Sequence, residues 1–138
     1  MLALNTDNEE LLEKFLLSYY ESIKRGDLQR LSALMTRESY IIYLEALGFK
    51  RAFKDVEFKK LLKEIADNET SLRTVEEVLS DYLAKEEREH KLIINSFESK
   101  GSDRVTLHYS EDRHPKKLYF SSSLGEWKID FKAGRKKS

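Results

Sequence analysis

Three histidines, seven tyrosines and no cysteine set the chemical repertoire of this chain. Without a thiol there is neither thiol catalysis nor a structural disulfide. Glu87 and His90 form an E-x-x-H, a spacing that places two metal ligands on one helix face. Carboxylate-rich two-metal bundles need two such motifs on helices and two further glutamates. Only one predicted helix carries the motif, so the pair reads as the solvated end of a charged helix, and no metal or cofactor is assigned. His108 and Asp130 fall on predicted strands and can pair across them, but such a pair at a surface carries little by itself. Tyr20, Tyr109 and Trp127 are the residues expected to line a pocket, because aromatic walls are common in ligand sites. No phosphate-cradling loop, nucleophile elbow or dinucleotide fingerprint occurs among the five glycines.

Those residues need a scaffold, and the chain divides sharply into two kinds. From Lys91 onward apolar and polar residues alternate: KLIINSF, DRVTLHYS, KKLYFSSS and EWKIDFK. Period two marks half-buried antiparallel strands. Before Lys91 the spacing is helical. Thr6 and Glu9 match a capping box ahead of Leu12, Phe15, Leu16, Tyr19, Tyr20 and Ile23. Gly26 should end that helix and Asp27 should cap a short second one carrying Leu28, Leu31, Leu34 and Met35. The apolar run Ser39–Phe49 suits helix or strand; Thr36 as a cap and Gly48 as a stop favour a helix. Asp55–Asn68 should be a helix with Val56, Phe58, Leu61, Leu62 and Ile65 inward. Thr74 and Glu77 match a second capping box, ahead of Val75, Val78, Leu79, Tyr82 and Leu83. Pro115 is expected in the turn EDRHP.

Helices first and a meander last predict an α+β domain, with the N-terminal helices on one face of a C-terminal antiparallel sheet of about four strands. The helix-facing side should carry Val105, Leu107, Tyr109, Leu118, Phe120, Trp127, Ile129 and Phe131. Thr106, His108, Tyr119, Ser121, Lys128 and Asp130 take the other side, and the first strand fits either Leu92/Ile94 or Ile93/Phe97 inward. Residues 1–131 read as one domain and 132–138 as a basic, disordered tail.

Lys plus Arg and Asp plus Glu both total 25, which argues against general electrostatic capture of nucleic acid or anionic membrane. The last segment, from Arg113, holds eight Lys and Arg against two carboxylates, so contact with nucleic acid or an acidic partner is confined to this end. No aromatic stacking platform accompanies those charges. No apolar run reaches the roughly 20 residues of a membrane span, and MLALNTDNEE lacks the basic and apolar regions of a signal peptide. The expected location is cytoplasmic.

The stretches YYESIKRGDLQRLSALM (19–35) and SSLGEWKIDF (122–131) resemble the opening helical corner and the closing hairpin of the NTF2-like (nuclear transport factor 2-like) superfamily. The resemblance implies a curved sheet whose helix-covered face encloses an apolar pocket, and members that dimerise through the open sheet face. Unlike most members, this chain has two good helices between the corner and the sheet. Family enzymes place an acid–base pair inside the cone, whereas the inward face predicted here holds neither carboxylate nor imidazole. The expectation is therefore a non-enzymatic module with no catalytic residue, binding a small apolar ligand or a protein segment. His108, Tyr119 and Asp130 would lie on its homodimer face. The competing readings are a lyase or isomerase with a base such as Glu45 or Glu98, and partner contact through the basic C-terminus.

Overall fold

The computed structural model describes residues 6–51, 55–85 and 89–134. Among the described residues five helices precede a four-stranded antiparallel sheet whose strands pair in chain order, so the α+β class with an N-terminal helix layer holds. Among the described residues no helix is long and apolar enough to cross a membrane.

Helix α1 (Thr6–Arg25) buries Leu12 and Leu16 and packs Phe15, Tyr19, Tyr20 and Ile23 against the core. Gly26 stops it in the left-handed region, φ +68°, with its Cα against the Ser80 carbonyl, where a Cβ has no room. Asp27 then caps α2 (Leu28–Leu34), accepting from the Arg30 amide at 3.1 Å. The predicted helical corner is thus present.

The Ser39–Phe49 segment is helical within α3 (Arg37–Arg51), and Thr36 caps it by accepting the Ser39 amide at 3.2 Å. Gly48 is not its stop. It lies inside the helix, where a Cβ would come within 2.5 Å of Leu62, so its missing side chain lets α4 (Val56–Glu64) approach. Asp55 caps α4 through the Phe58 amide, but Val56 is exposed rather than inward because it precedes the buried stripe of Phe58, Leu62 and Ile65.

Helix α5 (Glu69–Lys85) begins before the predicted capping box. Asn68 is its cap, accepting the Ser71 amide at 3.1 Å, while Thr74 donates back to the Thr70 carbonyl inside the helix. Val75, Leu79 and Leu83 face the core, but Val78 is exposed.

The sheet comprises β1 (Leu92–Ser99), β2 (Arg104–Glu111), β3 (His114–Ser123) and β4 (Glu126–Ile129). Cross-strand partners Val105–Phe120, Leu107–Leu118 and Phe120–Ile129 form the predicted inward face. The register shifts between Ile94 and Ser96, so Leu92, Ile94 and Phe97 all turn inward across a bulge. That bulge is why the first strand admits either phase in sequence: Leu92 and Ile94 of one and Phe97 of the other face inward, while Ile93 is exposed. Pro115 lies within β3 opposite Ser110, not in the turn, which consists of Asp112 and Arg113, both at positive φ. This is the two-residue form whose twist suits a hairpin.

Phe131 does not extend β4. It opens a 3-10 turn, Phe131–Gly134, with its amide bonded to the buried Ser39 Oγ at 2.9 Å. Part of the predicted tail therefore belongs to the fold, and residues 135–138 lie outside the described residues. Met35 bridges to Ile129 in parallel, and the Thr36 amide bonds the Ile129 carbonyl, covering the β4 edge.

Candidate functional site

The C-terminal half of α1 presents Tyr19, Tyr20, Ile23 and Lys24 toward the far end of the sheet. Strand alternation brings Tyr109 and Glu111 of β2 to the same face, because they are two residues apart. Lys116 and Leu118 of β3 follow by the same rule, Lys116 opposite Tyr109. Leu83 of α5, Phe131 of the 3-10 turn and His90 of the loop before β1 complete a cleft of about 390 Å³, and Lys117 borders it. That volume falls within the usual range of small-molecule sites.

A chain of polar contacts crosses the cleft. The Tyr20 hydroxyl donates to Glu111 Oε1 at 2.5 Å and lies 2.8 Å from the Tyr109 hydroxyl. A phenol has one proton, and an ionised carboxylate only accepts, so Tyr109 donates to Tyr20. The two rings meet edge to face, centroids 6.1 Å apart, and Tyr20 meets Tyr19 and His90 in the same manner. Burial pushes the Tyr20 hydroxyl well above its ordinary range, and the bonds to Glu111 and Tyr109 add to it. Burial also raises Tyr109, with the Tyr20 contact working against that and the Glu111 charge with it. Tyr20 is therefore held as a neutral donor.

At the mouth, His90 Nδ1 lies 2.8 Å from Asp112 Oδ2. The other Asp112 oxygen accepts the Lys91 amide at 2.9 Å. That amide holds the Asp112 carboxyl below the usual carboxylate range, with His90 lowering it further. Lys24 pairs with Glu89 at the rim.

Of the three predicted pocket residues, Tyr20 and Tyr109 meet hydroxyl to hydroxyl in the cleft. Trp127 does not line it. It is buried on β4 opposite Ser122, toward the other end of the sheet, and serves the core. His108 and Asp130 do not pair with each other, since β3 separates them. His108 Nε2 contacts Glu98 at 3.0 Å, and Asp130 accepts from Ser121 Oγ and the Lys132 amide. Tyr119 is half-buried opposite Thr106 on the outer face. Glu98 is exposed on that same face, its carboxyl lowered by His108, and neither it nor Glu45 lines the cleft.

His90, Glu111 and Asp112 were missed as site residues. His90 stands in a loop rather than on a helix, so the Glu87–His90 spacing loses its helical meaning; Glu87 lies outside the described residues. The inward face does hold a carboxylate, because β2 runs one residue beyond Ser110 to Glu111. Glu111 and His114 repeat the E-x-x-H spacing across the β2–β3 turn, a signal that pointed to this end of the hairpin. Comparisons of the chain with protein-family models, curated proteins and solved structures returned no match.

Proposed function

We propose that this chain is a non-enzymatic binding module of NTF2-like design that holds a small molecule in the cleft between α1 and the sheet. The carrying observation is the Tyr109–Tyr20–Glu111 chain inside a cleft whose apolar walls are Ile23, Leu83, Leu118 and Phe131 and whose lining also includes Lys24, His90 and Lys116. A few convergent polar groups among apolar walls fix a ligand's orientation, while the walls supply contact area. The ligand that fits best has an apolar body and a polar head. A polar head can use the lone pairs that the two hydroxyls and Glu111 still offer and the charge of Lys116, which a wholly apolar ligand cannot. The order of helical corner, helices and closing hairpin supports the NTF2-like comparison.

The test is amide NMR of the full chain against a set of amphipathic phenols and carboxylates. Shifts should concentrate at Tyr20, Tyr109, Glu111 and Leu118, and filling the cleft by Ile23→Trp should abolish them. Shifts scattered over the surface, or unaffected by that substitution, would reject the cleft.

Glu111 and the His90–Asp112 pair favour a second reading, a lyase or isomerase of the same fold. It requires turnover. A ligand that binds wild type and is recovered unchanged supports the binding module, whereas conversion by wild type and not by Glu111→Gln supports the enzyme.

A second copy of the chain is the proposed occupant of the outer sheet face, which mixes Thr106, His108, Tyr119 and Ser121 with the exposed Ile93. Sedimentation at micromolar concentration tests it, and a clean monomer mass overturns it.

A further inference from the structure

We propose that His90, Glu111 and Asp112 form a binding site for a divalent transition ion of the zinc class at the mouth of the cleft. One donor atom from each lies within 4.8 Å of the other two. An imidazole with two carboxylates is a donor set of this metal class, and it carries enough negative charge to neutralise a dication.

The hairpin explains how neighbouring residues reach one point. Along a regular strand Glu111 and Asp112 would point to opposite faces. Asp112 instead takes φ +51° in the turn, and its carboxylate comes to the side where His90 and Glu111 stand. Oδ1 is committed to the Lys91 amide, leaving Oδ2 toward His90. The 2.8 Å between His90 Nδ1 and that oxygen is a hydrogen-bond distance in the free protein. An ion about 2.1 Å from each would see donors at that spacing at only about 84°, so binding has to part them to roughly 3.4 Å, the separation a tetrahedral angle requires.

Two features beyond the donors belong to a metal site rather than a surface carboxylate cluster. The Tyr20 hydroxyl already holds Glu111 Oε1 at 2.5 Å and is backed by Tyr109, the outer support that orients a ligating carboxylate. His90 and Glu111 also line the cleft, so coordination positions left by three protein donors open into it. That is the three-ligand, open-position pattern of exchangeable zinc sites. If the cleft holds an amphipathic ligand, an anionic head would complete the sphere; the ion itself needs no such ligand, so the two readings fail separately.

The experiment is titration of the full chain with Zn²⁺ alone by calorimetry, with Mn²⁺ line broadening in amide NMR to locate the ion. One equivalent should bind, and broadening should centre on His90, Glu111 and Asp112. His90→Gln and Glu111→Gln should each weaken binding by at least tenfold. Tyr20→Phe should weaken it 10- to 100-fold through its support of Glu111. His108→Gln, which alters the outer-face His108–Glu98 pair, should leave it unchanged. Circular dichroism checks each variant, and His90→Gln lies in a loop, so it remains readable if Glu111→Gln fails to fold. Absence of binding to wild type, or equal loss with His108→Gln, overturns the proposal. So does binding that survives His90→Gln.

Discussion

At the scale of single residues, the cleft turns on where one proton goes. Tyr20 can donate only once, and Glu111 takes that donation, so the direction of the whole chain is fixed from Tyr109 through Tyr20 to the carboxylate. A ligand entering from the side meets a row with its polarity already set, which costs it no reorganisation of the protein. Trp127 shows the contrasting case of an aromatic residue with no part in the cleft. Its ring is buried on β4, in phase with Ile129 and on the face that Phe120 shares. Trp127→Ala should therefore cost about 3–5 kcal/mol, the range for emptying a large aromatic site, and leave ligand shifts at Tyr20 and Tyr109 in place. Chemical denaturation together with the NMR assay checks both halves. A midpoint equal to wild type would mean the ring contributes nothing to the core.

At the scale of elements, period-two alternation made β2, β3 and β4 readable, because each packs one face against helices and leaves the other polar. Strand β1 resisted the same reading because the bulge beside Asn95 changes its phase midway. The start of α5 was misplaced for a different reason. Thr74 and Glu77 fit a capping box, but Asn68 six residues earlier is also a good cap, and the buried Ser71 and Leu72 extend the helix back to it. The two assignments differ in a measurable way. Asn68→Ala should cost about 1 kcal/mol by leaving the Ser71 amide without its acceptor, whereas Thr74→Ala, inside the helix and exposed, should be neutral or slightly stabilising, as alanine is the better helix former. Equal losses from the two substitutions in thermal denaturation would put the helix start back at Thr74. The site was less legible than any element. Tyr20 and Tyr109 are 89 residues apart, and His90 and Asp112 are brought together by a loop and a turn. No local spacing encodes such a meeting, and only the wide separation of helix layer and hairpin in sequence, closed by the fold, creates it.

At the scale of the whole molecule, the packing of helices on the sheet encloses tyrosines well away from the cleft's carboxylates as well as those within it. Burial pushes the Tyr43 hydroxyl up to about 12. Burial also raises Tyr19, with nearby Tyr43 adding to it, and raises Tyr40, whose hydroxyl donates to Glu76 at 2.5 Å. In the unfolded chain each of these groups titrates near its ordinary value of 10.0. Between that value and the folded one, the unfolded chain releases protons that the folded chain keeps. Stability then falls as pH rises, because the state that binds fewer protons is favoured by their scarcity. The contribution is complete below pH 10 and is lost progressively as the pH climbs through the folded values, so alkaline unfolding should be steep above about 10. A pH titration following tyrosinate absorbance and far-ultraviolet circular dichroism together checks this. Ionisation of Tyr19, Tyr40 and Tyr43 should appear only as helicity is lost. If all seven tyrosines ionise near the ordinary value while the dichroism stays native, the aromatic layer between helices and sheet is open to solvent and not the closed core described.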